Sequence, residues 1–175
     1  MQLAPGRRTA RPRRRYGCAI EIERKFLVAQ PPADLDRWPS TAIEQGYIAI
    51  GGDGTEVRLR RRAGRAVLTF KSAGGRTRAE EELAIEPERF ERLWPLTEGR
   101  RIEKTRYEIE ADGGLTIELD VYAGALTGLV VAEVEFASED DADAFAPPSW
   151  IGREVTEDKR YKNQRLACDG APPAE

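Results

Sequence analysis

Between residues 18 and 137 the sequence keeps returning to one rhythm, in which charged and apolar side chains alternate. Residues 18–29 (CAIEIERKFLVA) set Glu21, Glu23 and Lys25 at one parity and Ile20, Ile22 and Phe26 at the other. A period of two sends successive side chains to opposite faces of an extended strand, whereas a helix needs a period near 3.6. Strand segments follow at 43–50, 55–62, 66–72, 77–85, 102–111, 115–123 and 129–137. Turn residues separate several of them: Gly51-Gly52-Asp53-Gly54, Ala63-Gly64, Gly74-Gly75 and Asp112-Gly113-Gly114. Links of hairpin length join antiparallel neighbours, because a parallel crossover takes a dozen or more residues. The expected fold is therefore mainly β (α+β), with about eight antiparallel strands, enough to form a closed eight-stranded antiparallel β-barrel whose lumen holds one small ligand.

A few short helices interrupt the strands. Pro87 suits a first helical position, and Phe90, Leu93 and Trp94 share a face before Pro95 stops the run. Ser138 reads as an N-cap, with Glu139, Asp140 and Asp141 in the first turn and Phe145 as an anchor. Thr156 is placed to cap a final helix over 157–167.

The charges are sorted by sign as well as by face. Arg58, Arg60 and Arg62 oppose Val57 and Leu59, and Lys71 opposes Leu68 and Phe70. Arg78, Glu80 and Glu82 oppose Leu83 and Ile85; Lys104 pairs with Arg106, Glu118 with Asp120, and Glu133 with Glu135. Any half-buried strand shows polar groups to water, but such faces usually mix signs and neutral residues. Like charges side by side on a sheet cost free energy unless a counter-charge lies against them. Carboxylates converging on one space suit divalent cations, and arginines and lysines converging on it suit a polyanion. Both together describe a metal–polyphosphate site.

Composition narrows the chemistry. The 175 residues suit one domain, with 40% hydrophobic and 34% charged residues. No apolar run approaches the ~20 residues of a membrane span, and no secretory segment is evident, so a cytoplasmic protein is expected. Cys18 and Cys168 form no metal-spacing motif and read as free thiols in a reducing compartment. The chain has no histidine, which excludes serine–histidine triads, histidine bases and imidazole-bound zinc. A metal here must be a hard cation held by carboxylates, magnesium or manganese by default. Residues 1–17 carry six arginines and no acid, leaving 22 basic residues against 31 acids elsewhere, a net charge near −9. That leader reads as a disordered tail, with a transit peptide or a nucleic-acid arm as alternatives. The acidic body argues against a nucleic-acid-coating protein.

In combination, the motifs resemble a known family. Glu21-Ile22-Glu23-Arg24-Lys25 is similar to the ExExK signature of the CYTH domain, also called the triphosphate tunnel metalloenzyme family. Val57-Arg58-Leu59-Arg60, Leu68-Thr69-Phe70-Lys71-Ser72, Arg78-x-Glu80-x-Glu82 and Lys104-Thr105-Arg106-Tyr107 follow in order. Glu118-Leu119-Asp120-Val121, Ala132-Glu133-Val134-Glu135, Gly152-Arg153-Glu154-Val155-Thr156 and Arg160-Tyr161-x-Asn163 complete the set. The resemblance covers residues 18–168, leaving the leader 1–17 and a short tail 169–175 outside. It implies a tunnel with its charged faces inward and its apolar faces under helices. It also implies that Glu21, Glu23, Glu133 and Glu135 hold the metal, with Glu80, Glu82, Glu118 and Asp120 beside it or holding a second. Lys25, Arg58, Arg60, Lys71, Lys104 and Arg106 would bind phosphate oxygens, and Lys25, Lys104 and Arg106 would also stabilise charge during reaction. Arg62 and Arg78 would serve at the rim or in structural ion pairs, with Arg78 also a candidate substrate contact.

The implied activity is hydrolysis of inorganic triphosphate to pyrophosphate and phosphate. Alternatives are hydrolysis of thiamine or nucleoside triphosphates, a class IV adenylyl cyclase, or a non-catalytic polyphosphate-binding module. The implied partner is a small molecule bearing a triphosphate, with neither membrane nor nucleic acid; oligomeric state is open, a homodimer included. Because the leader precedes the first motif, a chain lacking residues 1–16 is expected to keep its triphosphatase turnover. A large drop in phosphate release from that truncation would place the arm in the site.

Overall fold

The structure, a computed structural model, describes residues 22–73 and 79–173. Glu21, Arg78, Cys18, the leader and the Gly74-Gly75 turn thus lie outside the described residues. The described residues form eight strands: β1 (Ile22–Leu27), β2 (Ser40–Ile50), β3 (Glu56–Arg62), β4 (Arg65–Lys71), β5 (Glu80–Ile85), β6 (Arg101–Glu110), β7 (Thr116–Tyr122) and β8 (Val130–Phe136). Every ladder is antiparallel, in the order β1-β8-β7-β6-β2-β3-β4-β5. The link between β3 and β4 is the two-residue turn Ala63-Gly64, with φ of 49° and 73°. Two left-handed residues make a turn whose twist matches that of the strands. β2 begins earlier than its apolar pattern suggested, since Ser40, Thr41 and Ala42 already pair with Tyr107, Arg106 and Thr105.

The apolar parity of the sheet lies under helices. Phe26, Ile117, Leu119, Ala132, Val134 and Phe136 form a core with Ala142 of α2 (Glu139–Ala144). Leu59 and Ala66 pack on Phe90 of α1 (Pro87–Leu93). Ser138 caps α2 as expected, its hydroxyl accepting from the Asp141 amide at 3.1 Å. Arginines on this face lie against aromatic rings, Arg61 at 4.3 Å from the Phe90 centroid and Arg101 at 4.5 Å from that of Trp94. Each is also bonded, Arg61 to Glu44 and Glu91 and Arg101 to the Trp94 carbonyl. They seat the helices on the sheet.

The opposite face carries the charges, but not to its end. Tyr47, Ile102, Tyr122 and Val131 share the parity of the charged residues. They are buried with Tyr161, Leu166 and Ala167 from the C-terminal segment, including α3 (Asn163–Asp169). The Tyr122 hydroxyl donates to Asn163 Oδ1 at 2.9 Å. One end of the charged face is therefore an apolar floor.

Two expectations require correction. The sheet runs from β1 to β5 as its edges, and no ladder joins them among the described residues, so the barrel is not closed by hydrogen bonds. The free edge of β1 is already occupied. Residues 152–156 lie along it as a strap: the Leu27 amide donates to the Arg153 carbonyl at 2.8 Å, and the amides of Gly152 and Val155 donate to the carbonyls of Leu27 and Lys25. The final helix is also shorter than 157–167. Thr156 is engaged with the Lys25 amide, so Asp158 instead caps a 3-10 turn at Lys159–Tyr161. Lys162 is extended, and α3 starts after it.

The strap depends on the absence of a side chain at Gly152, where a Cβ would fall 2.8 Å from the Leu27 carbonyl oxygen. Gly152→Ala is expected to destabilise the fold by about 1–3 kcal/mol. The check is urea denaturation, which should show a lower midpoint at unchanged m-value; an unmoved midpoint would mean that the strap yields freely.

Candidate active site

Strand register brings opposite charges together on the inner face. Lys104 and Arg106 on β6 lie across from Tyr122 and Asp120 on β7. Asp120 is wholly buried. Its Oδ2 accepts from Lys104 Nζ and from an Arg106 terminal nitrogen, each at 2.5 Å, and its Oδ1 accepts from Arg106 Nε at 2.7 Å. Arg106 also bonds Glu118, and it reaches past β7 to Glu133 on β8 at 2.8 Å. Glu133 in turn meets Lys25 Nζ of β1 at 2.8 Å. Lys25, Lys104, Arg106, Glu118, Asp120 and Glu133 thus form one network across β1, β8, β7 and β6.

A second group spans β3, β4 and β5. Lys71 pairs with Glu80 at 3.1 Å, Arg60 with Glu82 at 3.5 Å, and Arg58 stands 3.7–3.8 Å from both acids. Fully buried Thr69 accepts from Arg58 and donates to Glu82. The looser distances on Arg58 have a counterpart: its Nε is buried and, among the described residues, has no hydrogen-bond partner. A buried, charged donor without an acceptor is unusual enough to need a cause. Arg62 of β3 reaches over β2 to Glu108 of β6 at 2.8 Å, an ion pair that belongs to neither group. Arg60, Arg62 and Arg65 line a cavity of about 470 Å³ at the β3–β4 end of this face.

Burial and neighbouring charges shift the titration of these groups. Burial, with the adjacent Arg58, pushes the Arg60 guanidinium below its usual value. Burial likewise lowers the Lys104 ammonium, against the pull of Asp120. Burial disfavours the Arg106 charge too, but Asp120, Glu133 and Glu118 outweigh it and raise the group. For Glu133, burial alone would raise the carboxyl; Lys25, Lys104 and Arg106 overcome it and hold the group at about 2.

The acids at the open end are arranged differently. Glu23 and Glu135 are direct register partners, one residue pair along from Lys25 and Glu133 on the same face. Among the described residues, no three acids converge closely enough to hold a metal ion. Glu21, the next acid at this parity, lies outside them. The donor set still fits a hard divalent cation by class, being all carboxylate in a chain without histidine. Some inner-face residues escaped the sequence reading. Buried Glu56 stands opposite Lys71, and its signal was present as the start of the 56/58/60 alternation. Buried Gln45 and Tyr47 on β2, bonded to each other at 3.0 Å, gave no signal because that stretch reads as apolar.

An antiparallel sheet that covers its apolar face with helices and gathers paired bases and acids on the other is a ligand-binding sheet turned inside out. The chain belongs to the CYTH family: the model described as the CYTH domain matches residues 19–165. It is 53% identical over 148 residues to an inorganic triphosphatase of Nitrosomonas europaea, covering 84% of this chain and 96% of that one. It is 40% identical over 152 residues to an inorganic triphosphatase of Acetivibrio thermocellus, covering 83% and 92%. A crystal structure of an inorganic triphosphatase matches with a TM-score of 0.75 and 48% identity, covering 88% of this chain and 98% of that one.

The depressed Glu133 carboxyl makes a stability prediction with a definite sign. A group whose folded value lies below its ordinary 4.5 stabilises the fold above that pH and loses the effect as pH falls through about 2. In metal-free protein, wild type should exceed Glu133→Gln in urea midpoint by a constant margin above about pH 5. The margin should narrow as the pH drops from there, and one that stays constant down to about pH 2.5 would contradict the assigned pairing.

Proposed function

We propose that the chain hydrolyses inorganic triphosphate to pyrophosphate and phosphate, using magnesium or manganese. The observation that carries this reading is the buried Arg58 Nε, which lacks an acceptor among the described residues, on the face it shares with Arg60 and Lys71. Anionic phosphate oxygens are the acceptors such donors suit, and the guanidinium fork can take two at once. The relatives named inorganic triphosphatase support the same substrate.

In this reading the inner face is the wall of a tunnel around the triphosphate, closed at one end by the apolar floor. Lys25, Arg58, Arg60, Lys71, Lys104 and Arg106 bind phosphate oxygens, with Arg78 toward the rim. Glu21, Glu23, Glu133 and Glu135 would hold the metal, with Glu80, Glu82, Glu118 and Asp120 beside it. When bound, the cation activates water and offsets phosphate charge. Lys25, Lys104 and Arg106 stabilise the negative charge that grows on the leaving phosphate, in surroundings where burial strengthens attraction between opposite charges. Residues of the described structure form no helix long and apolar enough to cross a membrane; the proposed place of work is the cytoplasm.

Phosphate release from triphosphate, ATP and thiamine triphosphate, measured side by side with either metal, tests the substrate. Triphosphate should be preferred and excess EDTA should abolish turnover; a preference for ATP, or cyclic product from it, would favour the organic alternatives. The clamp has its own test. Arg58 and Arg60 stand ~6–7 Å apart along β3, so neighbouring phosphates can each take one fork. Arg58→Lys and Arg60→Lys keep the charge and lose the fork, and each should lower kcat/KM by roughly 10- to 100-fold, about 1.4–2.7 kcal/mol. Tm should hardly move. Wild-type kcat/KM in both variants would mean that neither guanidinium fork holds the substrate.

A further inference from the structure

We propose that Thr156 is a positioning residue whose hydroxyl fixes the backbone of Lys25 and so aims the Lys25 ammonium at the substrate. The inference rests on the triphosphatase reading above and extends it to a segment remote in sequence. β1 is an edge strand, and the amides and carbonyls of Lys25 and Leu27 face the strap. At Leu27 the pairing is backbone to backbone in both directions: its amide donates to Arg153 and its carbonyl accepts from Gly152. At Lys25 the carbonyl accepts from the Val155 amide at 2.7 Å. A continued antiparallel ladder would give the Lys25 amide a backbone carbonyl in return. It receives the Thr156 hydroxyl oxygen instead, at 3.0 Å. The departure from the ladder thus falls on the residue whose side chain enters the site.

The hydroxyl is held in the orientation this requires. It donates its own proton to Glu154 Oε1 at 2.7 Å, which leaves its lone pairs for the Lys25 amide. Glu154 is gripped by Arg24 through two bonds of 3.1 and 2.6 Å. Arg24 is bonded in turn to the carbonyls of Ala142 and Phe145, at 2.8 and 3.1 Å. A chain of hydrogen bonds therefore runs from the end of α2 through Arg24, Glu154 and Thr156 to the backbone of Lys25. At the far end, Lys25 Nζ is 2.8 Å from Glu133. A backbone displaced at Lys25 carries its ammonium with it, and misplacement of a reacting group by an ångström is enough to cost rate.

Steady-state kinetics with triphosphate on the full chain tests this. Thr156→Val keeps the shape and removes the hydroxyl, and should lower kcat/KM about tenfold; Thr156→Ser, which keeps the hydroxyl, should stay within about twofold of wild type. In a Lys25→Ala background, Thr156→Val should change nothing further, since the effect acts through the missing ammonium. Should the valine variant fail to fold, Thr156→Ala replaces it in the same comparison. Wild-type kcat/KM in the valine variant would overturn the proposal, as would an equal loss in the serine variant. So would a tenfold loss that persists without Lys25, which marks a merely structural role. A wild-type chain that binds triphosphate without hydrolysing it overturns the hydrolytic reading alone, and the same variants are then judged by Kd. One that neither binds nor hydrolyses it overturns both.

Discussion

Three arginines on one side of a strand repel one another, and the fold can hold them only if neighbouring strands bring carboxylates to the same side. Strand register does this throughout the sheet. Lys71 lies across from Glu80, Arg106 across from Asp120, and Lys25 across from Glu133. A slip of one residue would send each charged row into the helix-covered core and each apolar row into the ion network. The charge pairs are therefore a second specification of register, added to the hydrophobic one. Their burial is costly in isolation, and the network tolerates it because nearly every oxygen and nitrogen in it has a partner.

With the charges committed to one face, the helices have only the other to cover. α1 and α2 cover it, with Arg61 and Arg24 packed on aromatic rings and bonded to helix residues. The C-terminal segment then acts on both regions. Its strap occupies the edge of β1, and its last helix buries Tyr47, Ile102 and Tyr122 at one end of the charged face. One stretch of chain thus accounts for the open edge, the apolar floor and the outer support of Lys25.

Much of this was legible from the sequence because a period of two leaves little freedom. Once Arg58 and Arg60 alternate with Val57 and Leu59, their common face follows, and so does the antiparallel order implied by short turns. The parts that were not legible depend on competition between distant groups. Thr156 has the chemistry of a helix cap, and nothing in its neighbourhood reveals that the Lys25 amide takes its hydroxyl first. The ladder that would close the barrel is not seen among the described residues for the same reason, since the edge of β1 is taken by residues more than a hundred positions away. β2 hid its inner face because Gln45 and Tyr47 bond to each other, not to a charge. Glu56 was within reach, being two residues before Arg58 in the same alternation.

The two groups of ion pairs are unequal in a way that bears on how a polyanion would enter. Arg106 has its donors filled by Asp120, Glu118 and Glu133, so a phosphate that approached it would have to displace a carboxylate. Exchanging one anion for another gains little beyond the difference between their geometries. Arg58 is different: its contacts to Glu80 and Glu82 exceed 3.5 Å, and its Nε has no partner among the described residues. An oxygen placed there removes a desolvation penalty that the fold already carries, so the gain on binding is concentrated on β3. In the proposed reading, the saturated network around Asp120 would serve mainly to hold Lys104 and Arg106 in fixed positions, and preorganised charge of that kind costs no rearrangement when a reaction begins. Binding from the loosely paired arginines and rate from the tightly paired ones is the division of labour that these distances favour.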